Sequence, residues 1–193
     1  MRTKDHKGKV VVISGPSGVG KGTICAEVAR RMHQVYINIS ATTRQKAPSE
    51  VNGRDYFFVT KDEFEKLKSE GKLLEYAEVF GNMYGSPRDE VDKALSDDRI
   101  VLLQIDVQGG KSVKRIYPDS VLIFIFPPDR RELERRLAGR GRDSKETADR
   151  RLNWSANEIA EAEKFYDYKV INDNLEKAVS EVIEIIENQI RSN

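Results

Sequence analysis

The chain has little of three things that mark whole classes of protein: cysteine, long apolar runs and net charge. Its single cysteine, Cys25, excludes an intramolecular disulfide framework and cysteine-based zinc or iron–sulfur clusters, and fits a reducing compartment. No run reaches the roughly 18 apolar residues of a membrane span, and residues 1–10 have charge but no apolar region of a signal peptide. We therefore expect a cytoplasmic protein with no membrane partner.

The charge balance is close to zero, but it is uneven along the chain. The 193 residues include 33 basic and 32 acidic side chains, with 38% hydrophobic residues. This composition lacks the signature of a disordered chain and predicts a single folded domain, compatible with a monomer or a homodimer. Residues 129–151 alone hold eight of the 17 arginines. A total near zero, with no aromatic residues among those arginines, argues against a nucleic-acid partner.

Apolar runs of strand length alternate with segments of helix length along most of the chain. Lys9–Ser14 is a β-branched run without polar alternation, as expected for a parallel strand buried on both faces. Further strands are predicted at 35–40, 56–59, 73–80, 100–105, 121–126 and 169–171, with helices that begin near 60 and 86 and run over 145–165 and 175–190. This alternation predicts an α/β fold: a three-layer core with a mostly parallel sheet.

Two segments interrupt the alternation. A polar, hairpin-like stretch at 41–95 is predicted to be an inserted α+β module, and the proline- and arginine-marked segment 128–150 a short helical lid. The remaining segments, 1–40, 96–127 and 151–193, would form the core of one domain that spans 1–193.

The glycine spacing of a phosphate-binding P-loop lies between the first strand and the first helix, in Gly15-Pro16-Ser17-Gly18-Val19-Gly20-Lys21. Glycines let backbone N–H groups converge on a phosphate, and the Lys21 ammonium can reach the β- and γ-phosphates. Gly22 stands where Ser or Thr usually follows the lysine. Thr23, one residue later, is either a water-mediated magnesium contact or an ordinary first-turn residue. The core is therefore predicted to be a P-loop NTPase core, with residues 15–23 binding ATP.

A P-loop alone leaves GTPases, motor-type ATPases and small-molecule kinases open. The arginine-rich segment favours a kinase, because guanidinium groups suit the oxygens of a transferring phosphoryl group and a lid excludes water. The alternative is a solvated basic hairpin that binds nothing. The arginines in question are Arg135, Arg136, Arg140, Arg142, Arg150 and Arg151.

A series of motifs in one order resembles the guanylate kinase family from nearly end to end. They are Gly-Pro-Ser-Gly-x-Gly-Lys at 15–21, Ser-x-Thr-Thr-Arg at 40–44, Glu-Val-Asn-Gly-x-Asp-Tyr at 50–56, Glu75 before Tyr76-Ala77, Gly-Asn-x-Tyr-Gly-Ser at 81–86, Ile-Asp-Val-Gln-Gly at 105–109, Arg-Leu-x-Gly-Arg-Gly at 136–141 and Val-Ile-Asn-Asp at 170–173. The Thr-Thr-Arg, Asn-Gly-x-Asp-Tyr and Tyr-Gly-Ser elements are specific to that family, whereas the P-loop is shared widely.

The resemblance implies transfer of the ATP γ-phosphate to GMP, and to dGMP, with Mg²⁺ as cofactor. It implies that Ser40 and Glu75 read guanine, that Arg44, Tyr56 and Tyr84 hold the GMP phosphate, and that Ser86 and Asp106 complete that pocket. Arg140 and Arg151 would clamp the transferring group together with Lys21 and Arg44, Arg136 and Asn172 would border the adenine, and Asp106 would join Thr23 as a possible water-mediated metal contact.

The chemistry of these residues agrees with the resemblance. A carboxylate at Glu75 can accept from both N1–H and the exocyclic amine of guanine, a pair of donors that adenine does not offer. Alternatives remain for several residues: Glu75 as a solvent-facing strand residue, Tyr56 and Tyr84 as hairpin packing residues, and Ser86 as the N-cap of a helix that begins at Pro87. Asp106 ends a buried strand, where open α/β sheets place ligands.

Two positions depart from the family pattern, and two other functions stay open. Ala47 stands where the family usually carries a second phosphate-binding arginine, with Lys46 beside it as a possible point charge, and Gln104 stands where an acid is often found. Ala47 predicts either weaker GMP binding or a rearranged loop around Pro48. The other functions are a kinase for a different nucleoside monophosphate, and an inactive guanylate-kinase-like module that binds proteins.

Overall fold

The computed structural model describes residues 8–138 and 145–191, with side chains except at 137, 138, 145–151 and 153. Within these residues the chain forms two sheets. The larger has five strands, and each of its strand pairs is parallel. Its strands are β1 (Lys9–Ser14), β2 (Val35–Ile37), β7 (Ile100–Gln104), β8 (Val121–Phe126) and β9 (Tyr168–Ile171), in the order β2-β7-β1-β8-β9.

The smaller sheet has four strands, in the order β4-β3-β6-β5: β3 (Ala41–Thr42), β4 (Phe57–Phe58), β5 (Leu73–Val79) and β6 (Asn82–Pro87). Strands β5 and β6 form an antiparallel hairpin. A small core of Ala41, Phe64 and Leu73 packs under this sheet. The helices are α1 (Lys21–Arg31), α2 (Lys61–Ser69), α3 (Arg88–Ser96), α4 (Val107–Ile116), α5 (Arg130–Ala138), α6 (Lys145–Phe165) and α7 (Leu175–Arg191).

Helices cover both faces of the parallel sheet, as the alternation along β1 shows. Val11 and Ile13 belong to a core cluster that includes residues of α1 and α7. Val10 and Val12 belong to a second cluster, with residues of α3, α4 and α6. All six residues of β1 are buried. The predicted α/β fold with a mostly parallel, two-sided sheet is confirmed.

Three local predictions differ from the structure. The strand expected at 35–40 ends at Ile37, because the chain leaves the parallel sheet there and enters the smaller sheet at Ala41. Strand β6 was not predicted, since its Asn, Gly, Ser and Pro letters resemble a turn. The N-cap prediction for Ser86 is wrong: Ser86 pairs within β6, and Pro87 occupies the cap position of α3 without a side-chain cap bond.

Two helices cross the predicted boundaries between the core, the insertion at 41–95 and the lid at 128–150. Helix α3 begins inside the predicted insertion, yet its Val91, Ala94 and Leu95 pack in the cluster of the parallel sheet. The predicted boundary between lid and core at 150/151 falls inside the continuous helix α6. Among the helices of residues 8–138 and 145–191, none combines the length and apolar composition of a membrane crossing.

Candidate nucleotide-binding site

The P-loop connects the carboxyl end of β1 to the start of α1, and its shape depends on glycine at two positions. Gly15 has φ 151° and Gly20 has φ 101°, a region that other residues rarely adopt. A Cβ on Gly15 would lie 2.5 Å from the Ile125 carbonyl oxygen, and one on Gly20 would lie 2.6 Å from Asn172 Nδ2. These positions therefore hold glycine for reasons of both backbone conformation and space.

Lys21 folds back across this loop. Its Nζ donates to the carbonyl oxygen of Gly15 at 2.5 Å and to that of Pro16 at 3.1 Å. Lys21 begins α1, whose N-cap Gly20 has no side chain to satisfy the first backbone donors. The turn thus presents an ammonium and backbone N–H groups together, which is the chemistry of phosphate binding.

On the buried face of the same helix, Cys25 is 1% exposed and lies in the core cluster shared with α7. Burial raises the pKa of its thiol to about 12, and the nearby positive charge of Lys21 lowers it by less. The thiol is therefore protonated at any physiological pH.

Asn172 and Arg136 close the P-loop from the side of α5 and β9. Asn172 is buried and donates from Nδ2 to the Val19 carbonyl oxygen at 2.7 Å. Arg136 donates to that same oxygen at 3.2 Å and to the Asn172 carbonyl oxygen at 3.1 Å. Glu132, one turn earlier in α5, accepts from Arg136 Nε at 2.7 Å and from Arg135. These two arginines lower the pKa of Glu132 to about 2, so this anchor stays ionised.

Glu75 lies on β5 of the hairpin and is 5% exposed, so the solvent-facing alternative is wrong. Its Oε1 accepts a hydrogen bond of 2.7 Å from the Ser86 hydroxyl on β6. Its Oε2 packs against the start of α4, only 2.6 Å from where a Cβ on Gly109 would stand. Burial raises the pKa of Glu75 to about 7, and the charge of Asp106 adds to this while the bond from Ser86 opposes it.

Asp106 lies two residues after the end of β7 and caps α4. Its Oδ1 accepts from the Gly109 N–H at 2.8 Å and its Oδ2 from Gln108 Nε2 at 3.2 Å. Burial raises its pKa, while these hydrogen bonds and the charge of Lys21 lower it. Asp106 thus interacts electrostatically with Glu75 on one side and with Lys21 on the other.

Arg44 lies just after β3 in a cluster of rings and a carboxylate. Its two terminal nitrogens donate to Glu50 at 3.0 and 2.7 Å, and its guanidinium carbon lies 5.4 Å from the Tyr56 ring and 5.6 Å from the Phe58 ring. Glu50 also accepts from the Ala47 N–H at 2.7 Å. Hydrogen bonding to Arg44 is the main cause that lowers the pKa of Glu50. A carboxylate therefore fixes Arg44 and the turn that contains Ala47.

The two predicted phosphate-binding tyrosines lie together beside Arg44. The Tyr56 and Tyr84 rings meet edge to face, with centroids 6.0 Å apart. Tyr56 also lines a cavity of about 320 Å³ that is bounded by Ser40 of the smaller sheet and by Gly22 and Gln104 of the core. The structure thus brings predicted GMP residues next to the first turn of the P-loop helix. Ring packing of Tyr56 and Tyr84 and a role in binding are compatible with this geometry.

A family model described as guanylate kinase matches residues 7–189. The chain belongs to the guanylate kinase family. Guanylate kinases from Carboxydothermus hydrogenoformans and Lactococcus lactis subsp. lactis are 45% and 46% identical to it, over 92% and 94% of this chain and 86% and 88% of theirs. The crystal structure of guanylate kinase from Anaplasma phagocytophilum superposes with a TM-score of 0.81 at 33% identity, covering 96% of this chain and 87% of that one. The family predicted from the motifs is confirmed.

Not every predicted site residue of this guanylate kinase family member can be placed. Arg140 lies outside the described residues, and Arg151 belongs to α6 but its side chain is outside them. Thr23 is exposed in the first turn of α1. Within residues 8–138 and 145–191, no cluster of three or more histidine, cysteine or acidic side chains is arranged to hold a metal ion.

One carboxyl near this site was missed by the sequence reasoning. Glu158 on α6 interacts electrostatically with Lys21 and Asp106, and burial raises its pKa to about 7. It stands in the middle of a long amphipathic helix, where a glutamate is ordinarily a solvated residue, so no local signal marks it. The role of Glu50 was not predicted for a similar reason. Glu50 begins the motif at 50–56, but only the fold shows that it pairs with Arg44.

Proposed function

We propose that this protein transfers the γ-phosphate of ATP to GMP, and to dGMP, giving ADP and GDP. One observation supports the choice of acceptor: the carboxyl of Glu75 is buried and accepts a hydrogen bond from Ser86. It interacts electrostatically with Asp106, and Asp106 in turn interacts with Lys21 of the P-loop. A group suited to guanine and a group suited to phosphates therefore both interact with Asp106. ATP and GMP belong to the cytoplasmic nucleotide pool, where we place the reaction.

Guanine recognition rests on donors and acceptors. Ionised Glu75 would accept from N1–H and the exocyclic amine, and the Ser40 hydroxyl would donate to O6. Adenine has no donor at N1 and would leave a buried carboxylate unpaired, which is costly. The Ser86 hydroxyl holds Glu75 Oε1 in place from the neighbouring strand. Selectivity for guanine thus follows from the Glu75 carboxylate, because guanine has the two donors that bind it and adenine does not.

Phosphate handling follows from fixed cations. Arg44, held by Glu50, would bind the GMP phosphate beside the Tyr56 and Tyr84 hydroxyls. Lys21 would exchange the carbonyl oxygens of Gly15 and Pro16 for the phosphates of ATP. The acceptor phosphate is already anionic, so positioning and charge neutralisation suffice and a general base is not needed. Arg140 and Arg151 would complete the cation set around the transferring group.

The metal of the reaction is proposed to be Mg²⁺ bound with ATP. Asp106 is a hard oxygen ligand beside the P-loop, but both of its oxygens already accept hydrogen bonds from α4. Its donor set fits water-mediated contact with Mg²⁺, together with the Thr23 hydroxyl. Bound Mg²⁺ would neutralise charge on the β- and γ-phosphates. The adenine would lie against Arg136 and Asn172, at the side of the P-loop that these residues close.

The test is ADP production at saturating ATP and Mg²⁺ with GMP, dGMP, AMP, UMP and CMP as separate acceptors. We expect GMP to give the highest kcat/KM, followed by dGMP. If AMP is turned over faster than GMP, the assignment of guanine to Glu75 is wrong and the protein is a kinase for another nucleoside monophosphate. If none of the five supports ADP formation, the enzymatic proposal fails in favour of a protein-binding module.

A further inference from the structure

An aromatic contact joins the tip of the β5–β6 hairpin to helix α6. Phe80 follows β5 directly, and its ring centroid lies 5.5 Å from that of Trp154, with an angle of 54° between the planes. Trp154 belongs to α6, whose Ala162 packs in the core cluster of the parallel sheet. The contact therefore bridges the sheet that carries Glu75 and Tyr84 and a helix that passes the P-loop.

The backbone at Phe80 is unusual for its side chain. Phe80 has φ 51° and Gly81 has φ 76°, between the paired residues Val79 and Asn82. Two positive φ values make a type I′ hairpin turn, whose first position favours asparagine, aspartate or glycine. A bulky aromatic residue there is strained, and such strain persists where the ring is held by something else. Phe80 is also 44% exposed, so burial in its own hairpin is not the reason for its position.

Helix α6 carries Trp154, the ring partner of Phe80, and also carries a residue that interacts with the P-loop lysine. Trp154, Glu158 and Ala162 recur every four residues of α6, so they share one face of the helix, and Tyr166 follows directly after its last residue. Tyr166 donates to the buried Ser14 hydroxyl at 2.6 Å, and Ala162 is fully buried. Glu158, between Trp154 and these anchors, faces the charges of Lys21 and Asp106. The helix is thus anchored at its carboxyl end and touches the hairpin at Trp154.

We propose that Phe80 and Trp154 are positioning residues, whose ring contact couples GMP binding on the smaller sheet to the placement of α6 over the P-loop lysine. The proposal rests on the function proposed above, because it takes GMP to bind at the hairpin and ATP at the P-loop. GMP would fix the hairpin, the rings would transmit that position to α6, and the position of Glu158 would set the electrostatic field at Lys21. By linkage, GMP and an ATP analogue must then each tighten the binding of the other by the same factor.

The chain supplies its own probe, because Trp154 is the sole tryptophan. In the wild-type protein we expect GMP to change the tryptophan emission, and GMP to tighten binding of a non-hydrolysable ATP analogue at least fivefold by calorimetry. In Phe80→Ala the emission change is lost and the tightening falls below twofold. Tyr76→Ala is the matched control: Tyr76 is a similarly exposed aromatic of the same hairpin, but its ring contacts Lys68. It should behave as wild type.

A second variant separates positioning from plain stabilisation. Phe80→Asn suits the turn, so its melting temperature should stay at or above that of wild type, whereas its kcat should fall about tenfold. Phe80→Leu, which keeps an apolar contact, should recover part of the kcat. The double variant Phe80→Asn/Trp154→Leu should be no slower than the slower single variant, as expected for residues that act as one unit.

The outcomes that overturn the proposal are distinct from those that overturn the function. A Phe80→Asn enzyme with kcat within twofold of wild type, or GMP-induced tightening of the analogue that survives Phe80→Ala, shows that the contact does not couple the two sites. Absence of GMP-dependent ADP formation in the wild-type protein would instead remove the proposed function.

Discussion

At the scale of single residues, Glu75 is the group whose protonation state most directly affects binding. Burial raises its pKa to about 7, and a protonated carboxyl cannot accept from both guanine donors. We expect KM for GMP to rise by about tenfold for each pH unit below the pKa, with little change above it. In Glu75→Gln this inflection should vanish. The measurement is KM for GMP between pH 6 and 8.

A phosphate group titrates in the same range, with a pKa of about 6, so GMP alone does not isolate the carboxyl. Guanosine lacks the phosphate and serves as the control ligand, used as a competitive inhibitor against GMP. Its inhibition constant should follow the same profile in the wild-type enzyme. A constant that is flat from pH 6 to 8 would place the titrating group elsewhere.

Ala47 tests the phosphate end of the same pocket. Its N–H donates to Glu50, which also holds Arg44, while Lys46 Nζ donates to the Glu50 carbonyl oxygen at 3.0 Å. We expect Ala47→Arg to lower KM for GMP by about three- to tenfold through a second charge-assisted contact, with kcat within twofold. Ala47→Gln, of similar length without charge, should leave KM unchanged. Equal effects of both substitutions would argue for repacking of the turn.

Several residues of the site carry no signal in the sequence that marks their role. Glu158 and Trp154 look like ordinary members of an amphipathic helix, and only the packing of α6 shows that they face Lys21 and Phe80. The P-loop lysine, by contrast, is identified by its neighbours along the chain. Local chemistry is readable from local sequence, whereas pairs brought together by the fold are not.

At the scale of elements, Arg136 attaches helix α5 to the P-loop through hydrogen bonds. Glu132 orients Arg136, which donates to the carbonyl oxygens of Val19 and Asn172. Glu132→Gln should weaken this attachment and raise KM for ATP by about three- to tenfold, because a charge-assisted bond to Arg136 becomes a neutral one. KM for GMP should not change.

The matched control lies in the same helix. Glu134 pairs with the exposed Arg130 at 3.0 Å. Such a pair contributes little, so Glu134→Gln should leave both KM values as in wild type. If the two substitutions have the same effect, a general change in α5 explains the result better than the loss of its attachment to the P-loop.

Elements differed in how far they could be predicted. Strand β1, the P-loop and α1 follow from an unbroken β-branched run, glycine spacing and an amphipathic period, all within 23 residues of chain (9–31). Strand β6 could not be predicted, because its Tyr-Gly-Ser-Pro letters suit a turn and only pairing with β5 makes them a strand. The same pairing places Ser86 opposite Glu75, so the Ser86 hydroxyl donates to the Glu75 carboxylate instead of capping α3.

At the scale of the whole molecule, the carboxyls with raised pKa values make the free energy of unfolding depend on pH. Glu75 and Glu158 have pKa values raised to about 7, so between pH 5 and 7 the folded state binds more protons than the unfolded state. The stabilisation that these two carboxyls contribute is therefore present in full below the ordinary carboxyl pKa and is lost as pH rises through 7. Each group should contribute on the order of 2 kcal/mol to this loss.

Urea unfolding at pH 5, 6, 7 and 8 measures this dependence. Carboxyls with lowered pKa values, such as Glu50 and Glu132, are ionised in the folded state throughout this range and bind protons in the unfolded state only near pH 5, so they add little slope. The double variant Glu75→Gln/Glu158→Gln should flatten the profile. A wild-type free energy of unfolding that rises from pH 5 to 7 would contradict the assignment.

The buried Cys25 gives the molecule a built-in reporter of opening. Its thiol is protonated and enclosed between α1 and the core, so an alkylating reagent cannot react with the closed form. Alkylation must wait until α1 detaches from the sheet, and its rate then measures that local opening. No other cysteine competes for the reagent, so the alkylation rate of the wild-type protein measures how often the phosphate-binding helix α1 detaches. The decrease of that rate on adding each nucleotide measures how much the nucleotide stabilises the packing of α1.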